Sequence, residues 1–143
     1  MDDLKRLDAI ASELIQAFDI QAPPIPIEHM LRHPRHGMWA EVDVTRLSGT
    51  FMITRDIYSP RMSLARMLAR HVASSKWGKE RGLPDLLRQD EQYMVNFGRM
   101  LIMPAEMVLS LSSGARQPVA MSMTFEVPED DARIRLQDLA DRL

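Results

Sequence analysis

Hydrophobic residues recur at steps of three or four near the start of the chain, the spacing of one helix face. Over residues 3–19 these positions are Leu4, Leu7, Ala11, Leu14 and Phe18. We predict an amphipathic helix there, capped by Asp2 or Asp3, which packs on its own domain or, as an alternative, on a partner helix. The helix should end before Ala22-Pro-Pro-Ile-Pro-Ile, because proline lacks a backbone donor and restricts the residue before it.

The pattern then changes to a period of two. From Met38 to Val44 apolar residues alternate with Trp39, Glu41 and Asp43, which is typical of a half-buried strand. A turn follows at residues 47–50, and residues 50–57 read as a second, antiparallel strand. We therefore expect a small antiparallel β-ribbon.

Every later element is predicted to be helical, and prolines mark most of the helix starts. The predicted elements are a helix of about 16 residues that begins at Ser59-Pro60 and stops near Gly78, a helix from Pro84 to about Leu101, a short helix from Ala105 to Leu111, a turn at Pro118 and a last helix over about 128–141. The order predicts a mostly helical α+β fold over residues 1–143, organised as a single domain.

Composition narrows the chemistry. The chain contains no cysteine, which excludes disulfides, cysteine nucleophiles, iron–sulfur clusters and thiolate zinc sites. The histidines are His29, His33, His36 and His71, and we interpret the first three as surface residues. A formal net charge of -2 argues against general nucleic-acid binding. The acidic start and the lack of an apolar run near about 18–20 residues predict a cytoplasmic protein without a membrane span.

Two segments carry the candidate chemistry, Arg61 to His71 on the helix after the ribbon and Glu91 to Pro104 on the next helix. Together they resemble the ImmA/IrrE family of zinc metallopeptidase-like proteins. In that family a ribbon precedes a helix with a Thr-Leu-Ala-His-Glu-Leu-Gly-His type segment, and a second helix carries Glu-x-x-Ala-Asn-x-Phe-Ala-x-x-Leu-Leu-Met-Pro. The residues that match the second pattern are Glu91, Phe97, Gly98 in place of alanine, Leu101, Ile102, Met103 and Pro104, whereas Met94 and Val95 depart from it.

The resemblance extends to the end of the chain and implies a zincin-like core over about 1–103 with a helix-turn-helix-like tail over about 104–143. In residues 119–136 the positions in register with the family's tail are Phe125, Val127, Arg135 and Leu136, and those that depart are Pro128 and Asp131.

The catalytic element of that family is absent. When Ser63-Leu64-Ala65 is aligned with the family's Thr-Leu-Ala, Arg66 and Arg70 fall at the two zinc-binding histidines. Met67 falls at the general-base glutamate. The family's HExxH motif is thus replaced by Arg66-Met67-Leu68-Ala69-Arg70. Arginine has no lone pair to give and methionine cannot take a proton. Of the family's metal-site residues only Glu91, which matches the third ligand, remains. His71 does not replace the second histidine, because it lies about 100° around the helix from position 70.

We therefore expect no catalytic residue, no bound metal and no cofactor. We predict instead that Arg66 or Arg70 pairs with Glu91, the guanidinium replacing the metal's charge. Solvated side chains in weak surface pairs are the alternative, and a small anion or a partner's carboxylate held by the same cluster is a third.

The resulting function hypothesis is a catalytically inactive pseudo-metallopeptidase that acts as a binding or regulatory module. Members of the family typically work beside DNA-binding repressors in stress response and mobile-element control, which implies a protein partner such as a transcriptional regulator. One alternative is an active metal-dependent peptidase with non-standard ligands, in which His29, His33 or His36 joins Glu91.

A second alternative is a DNA-binding regulator that uses the tail. Against it, Glu129, Asp130 and Asp131 place three carboxylates where residues near phosphates should be neutral or basic. Nucleic acid is therefore not an expected partner. Self-association stays open, through an exposed patch that includes Met121 and Met123.

Overall fold

The computed structural model describes residues 2–44 and 57–142. Helices account for all of the regular structure in these two ranges. They are α1 (Asp2–Ala17), α2 (Ile27–Arg32), α3 (Ser59–Ser74), α4 (Lys76–Glu80), α5 (Leu83–Leu87), α6 (Tyr93–Ile102), α7 (Ala105–Leu109), α8 (Pro118–Phe125), α9 (Glu129–Asp138) and a final 3-10 turn (Ala140–Arg142).

The predicted first helix is confirmed as α1. Its apolar stripe faces the protein interior, where Leu7, Ala11 and Leu14 are buried. The helix ends before the proline-rich segment, as predicted, and that segment adds Ile25 and Ile27 to the core.

The helix predicted after the ribbon is confirmed as α3, but it ends at Ser74 and not near Gly78. Ser75 makes the break, because its hydroxyl donates to the Val72 carbonyl (2.7 Å) and accepts from the Gly78 amide (3.0 Å). A Cβ at position 78 would lie 2.1 Å from the Val72 carbonyl oxygen, so this close turn requires glycine. These two hydrogen bonds end α3 at Ser74 and stabilise the start of α4 at Lys76.

The single helix predicted from Pro84 to Leu101 is wrong. Two helices, α5 and α6, occupy this region, and residues 88–92 separate them. Asp90 explains the break, because its carboxylate accepts a hydrogen bond from the Gln92 amide (2.8 Å) and competes with helical backbone bonds. Glu91 lies in this turn, outside α6.

The α+β fold class is also wrong for the described residues, none of which is in a β-strand. The predicted first strand, Met38 to Val44, is irregular. Most of the predicted second strand, residues 50–57, lies outside the described residues. Its one described member, Ile57, is in a turn and is 81% exposed.

The residues of the expected first strand pack against helices. Trp39 is buried and Ala40 is exposed, contrary to the predicted alternation. The other apolar residues of the pattern, Met38, Val42 and Val44, are partly buried against the core. The Trp39 ring stacks on Phe18 with 6.0 Å between centroids, and its indole N–H donates to the Leu31 carbonyl. The Val42 amide donates to the same carbonyl (3.0 Å), so these bonds fix the segment beside the end of α2.

The core forms where α1, α3 and α6 pack together, and the C-terminal helices join it through Phe125, Ala132 and Leu139. Gly98 marks the close approach of α6 to α3, since a Cβ there would lie 3.5 Å from the Arg66 Cα. None of the helices within 2–44 and 57–142 is long and apolar enough to cross a membrane.

A buried ion pair ties the two ends of the chain together. Arg135 of α9, which is 1% exposed, donates to both carboxylate oxygens of Asp8 on α1 (2.6 and 3.4 Å) and to the Met103 carbonyl (2.9 Å). Arg142 adds a third contact to Asp8 at 3.4 Å. The orientation of α9 on α1 is therefore held by charge-assisted hydrogen bonds in addition to apolar packing.

Candidate functional site

Arg66, Met67 and Arg70 lie on the middle of α3, the helix that packs most extensively on α6. Arg66 and Met67 are half-buried and Arg70 is exposed. Arg66 lies beside Gly98, and its Cγ would be 3.6 Å from a Cβ at that position. The two arginines are one helical turn apart, so both cations occupy the side of α3 that borders α6.

Glu91 does not join this cluster. The exposed Glu91 lies in the turn before α6, and no ion pair within 4.0 Å links it to Arg66 or Arg70, all three of which are described residues. The predicted guanidinium–carboxylate pair is therefore wrong as a direct contact. The reason is the helix break at Asp90, which removes Glu91 from the helical register that the prediction assumed.

The donor atoms present do not fit the zinc ion that the resemblance implies. Arg66 and Arg70 are cations, and Met67 offers only a weak thioether donor. His71 is half-buried, and burial, with a smaller effect of the Arg70 charge, lowers its pKa. Across the described ranges no three histidine, aspartate or glutamate side chains come together as metal ligands would.

His29 and His33, which the alternative hypothesis assigned to a metal, lie on and just after α2. They are four residues apart, and their ring centroids are 4.5 Å from each other. Both are exposed, beside a shallow cavity that Pro26, Glu28 and Arg32 also line. In the described part of the chain this histidine pair lacks a third ligand.

A groove of about 450 Å³ opens next to Arg70. We call it the Arg70 groove, and its lining residues come from four helices and the residue after α5: Arg70, Ala73, Ser74, Lys79, Pro84, Leu87, Arg88 and Met94. The lining surface is almost entirely apolar, and the polar groups lie at the edge. Ala73 and Leu87 are buried and Met94 is half-buried, so the floor is part of the packed core.

The rim of the Arg70 groove is positive. Arg88 forms an ion pair with Asp85 at i,i+3 on the surface. Arg70 and Lys79 form no ion pair with any carboxylate of the described residues. Within residues 2–44 and 57–142, two exposed cations thus flank an apolar floor without a neutralising group.

A larger cavity, of about 630 Å³, lies between α1, the segment after it and α7. Its lining mixes polar and apolar side chains, includes Asp19 and Glu106, and contains no basic residue among those described. None of the predicted site residues borders it. Of the predicted site residues, Arg70 lines the smaller Arg70 groove, whereas Arg66, Met67 and Glu91 do not.

The C-terminal helices α8 and α9 form a compact pair across Glu126-Val127-Pro128. Glu126 has a left-handed conformation (φ 57°), and the Arg61 guanidinium donates to its carbonyl (3.1 Å), to that of Phe125 (3.3 Å) and to that of Ile25 (2.9 Å). Burial lowers the pKa of Arg61, against the opposing effect of nearby carboxylates. Arg61 thus fixes the corner between the tail and α3.

The acids of the tail differ in exposure, since Asp131 is buried and Asp130 is exposed. Asp131 in the first turn of α9 pairs with Arg99 of α6 (2.8 Å), and Asp130 pairs with Arg133 (2.9 Å). Of the two methionines expected in an exposed patch, Met123 is 68% exposed, whereas Met121 is buried, so that expectation is wrong for Met121.

Sequence reasoning missed the Arg70 groove and the Asp8–Arg135 pair. The pair had only a weak signal, the opposite charges of Asp8 and Arg135, because polar residues also lie one helical turn away from each of them. The groove had no comparable signal, since Lys79, Leu87 and Met94 belong to different helices.

No protein-family model, no curated protein and no solved structure matches the chain.

Proposed function

We propose that this chain is a catalytically inactive, ImmA/IrrE-like protein that acts in the cytoplasm as a binding and regulatory module. Its partner is a protein, of which a transcriptional regulator is the type that the family resemblance implies. The proposal rests on the sequence resemblance and on the nature of the α3 surface beside α6.

The observation that carries the proposal is the position of Arg70. The alignment puts this arginine where a zinc-binding histidine would be, and its side chain borders an apolar groove. An apolar floor with cations on its rim suits binding, because it offers both surface to bury and charge to pair. It is ill suited to hydrolysis, which needs a group to activate water.

Elemental analysis of the untagged full chain, expressed in medium with zinc, iron and manganese, tests this proposal. We expect well below one equivalent of metal per chain, and no cleavage of a mixed peptide library. Glu91→Ala should leave the metal content unchanged, as should the control Glu106→Ala, which alters an exposed glutamate on α7.

The contrary result is one equivalent of zinc, iron or manganese that is lost in Glu91→Ala and retained in Glu106→Ala. Peptide cleavage with the same dependence on Glu91 would also refute the proposal. Either result would favour a peptidase with unusual ligands.

A further inference from the structure

The Arg70 groove has a floor that is already shaped for aliphatic side chains. Ala73 comes from α3, Leu87 from α5 and Met94 from α6, and each also contacts or belongs to the core. A floor built on packed helices changes little on binding, so little ordering cost opposes a ligand. Met94 adds a flexible thioether that can adapt to different aliphatic shapes.

The groove is open along its rim. Arg70, Ser74, Lys79 and Arg88 are all exposed. A small molecule in a typical pocket is about 70–90% buried. An open groove with an apolar floor and a polar rim is the arrangement that receives one face of an amphipathic helix.

The positive rim favours a bound helix with negative charge. Of the three rim cations only Arg88 is paired with a carboxylate in the described ranges, which leaves Arg70 and Lys79 to attract acids. A helix with aliphatic residues at three- and four-residue steps and Asp or Glu on both sides of that stripe would satisfy the floor and the rim together. A nucleic acid would meet the cations, but its phosphates would leave the apolar floor uncovered.

We propose that the Arg70 groove binds an acidic amphipathic helix of a protein partner. This inference rests on the proposed function, because it names the chemistry of the partner that the binding module recognises. The partner's aliphatic side chains lie over Ala73, Leu87 and Met94, and its carboxylates pair with Arg70 and Lys79.

A displayed library of random 16-residue segments, selected against the immobilised full chain, tests the inference even though the partner is unidentified. We expect the enriched segments to have an aliphatic helical stripe and a net negative charge. A fluorescent peptide of the most enriched segment then gives affinities by anisotropy.

Matched variants locate the binding. Met94→Glu places a repelling charge in the groove and should weaken binding about tenfold or more. Met123→Glu makes the same change at an exposed methionine of α8 and should alter affinity less than about twofold. Arg70→Gln should weaken binding severalfold, and this loss should shrink at high salt because salt screens exposed charges.

Enriched segments that are basic or lack a helical stripe would overturn the inference. Equal binding by Met94→Glu and the unmodified chain would do the same, as would enrichment of nothing or competition by duplex DNA that displaces the peptide from the groove. Metal content decides the proposed function separately, so a metal-free chain that selects no acidic helix refutes this inference alone.

Discussion

The buried contact between Asp8 and Arg135 makes a sharp prediction about stability. Asp8→Ala removes the carboxylate and leaves the Arg135 guanidinium, 1% exposed, with a hydrogen bond to the Met103 carbonyl. The substitution removes both hydrogen bonds from Arg135 to Asp8, including the short one of 2.6 Å. The result is a buried cation without its hydrogen-bonded carboxylate, with Asp138 as a more distant acid nearby.

The expected cost is about 3–5 kcal/mol of unfolding free energy, the usual range for breaking a buried ion pair from one side. A protein of this size is stable by about 5–15 kcal/mol, so the change removes a large share of the total. At roughly 3–4 °C per kcal/mol, the midpoint of thermal unfolding should fall by about 10–20 °C. The double variant Asp8→Leu/Arg135→Met should recover most of this stability, because it removes both charges of the buried pair together. Arg142, which also contacts Asp8, is one-third exposed and loses little when that contact is removed.

Urea and thermal unfolding followed by circular dichroism measure both effects. Asp130→Ala is the matched control, since Asp130 forms an ion pair with Arg133 while its side chain is 84% exposed, and its removal should cost under about 1 kcal/mol. A cost of Asp8→Ala no greater than that of this control would refute the prediction. So would a double variant whose destabilisation equals the sum of those of Asp8→Leu and Arg135→Met measured singly, because the residues would then be independent.

Two further predictions concern α3 and its neighbours. Gly98→Ala should raise the unfolding free energy by about 0.5–1 kcal/mol, since a Cβ there only reaches ordinary contact with Arg66. Gly98→Leu should lower it by about 1–3 kcal/mol, because the larger side chain overpacks the contact between α6 and α3. Urea unfolding that ranks the two variants in the opposite order would contradict the close helix contact. Burial and Arg70 lower the pKa of His71 from 6.5, so the unfolded chain takes up this proton first and stability should fall as pH drops below about 6.5. His71→Gln should reduce that fall between about pH 7 and 5. Thermal unfolding that gives this variant and the unmodified chain the same dependence on pH would refute the prediction.

Helical periodicity predicted the elements that bury a continuous apolar stripe. The stripe through Leu7, Ala11 and Leu14 sufficed for α1, and the positions Met62 to Val72 sufficed for α3. Where local hydrogen bonds of a single side chain decide the backbone, the pattern failed. Ser75 ends α3, and Asp90 stabilises the turn between α5 and α6, where apolar spacing alone would continue a helix.

The prediction of the first strand, which lies within the described residues, failed for a different reason. Alternation over Met38 to Val44 says that one face is buried, but it does not name the partner. Here the Leu31 carbonyl and the Phe18 ring hold Trp39 against helices. Tertiary contacts from distant parts of the chain thus override a local strand pattern.

The candidate site was predictable only where it lies on one helix. Arg66, Met67 and Arg70 share α3, so their proximity followed from spacing. The position of Glu91 depended on the turn at Asp90, and the groove depends on how separate short helices pack. Neither can be read from periodicity, because the turn is set by a side-chain hydrogen bond and the groove by long-range packing.

In our proposal the face formed by α3 and α6 binds a partner and is not a metal centre. The most direct test uses the chain with ¹³C-labelled methionine methyl groups. Its 12 methionines include Met67, which the resemblance would place at a general base, Met94 in the Arg70 groove and Met123 on α8. We predict that the selected acidic helix shifts the Met94 signal and leaves Met123 unchanged, while zinc shifts neither Met67 nor Met94. A saturable shift of Met67 and Met94 at one equivalent of zinc, abolished by Glu91→Ala, would contradict the proposal.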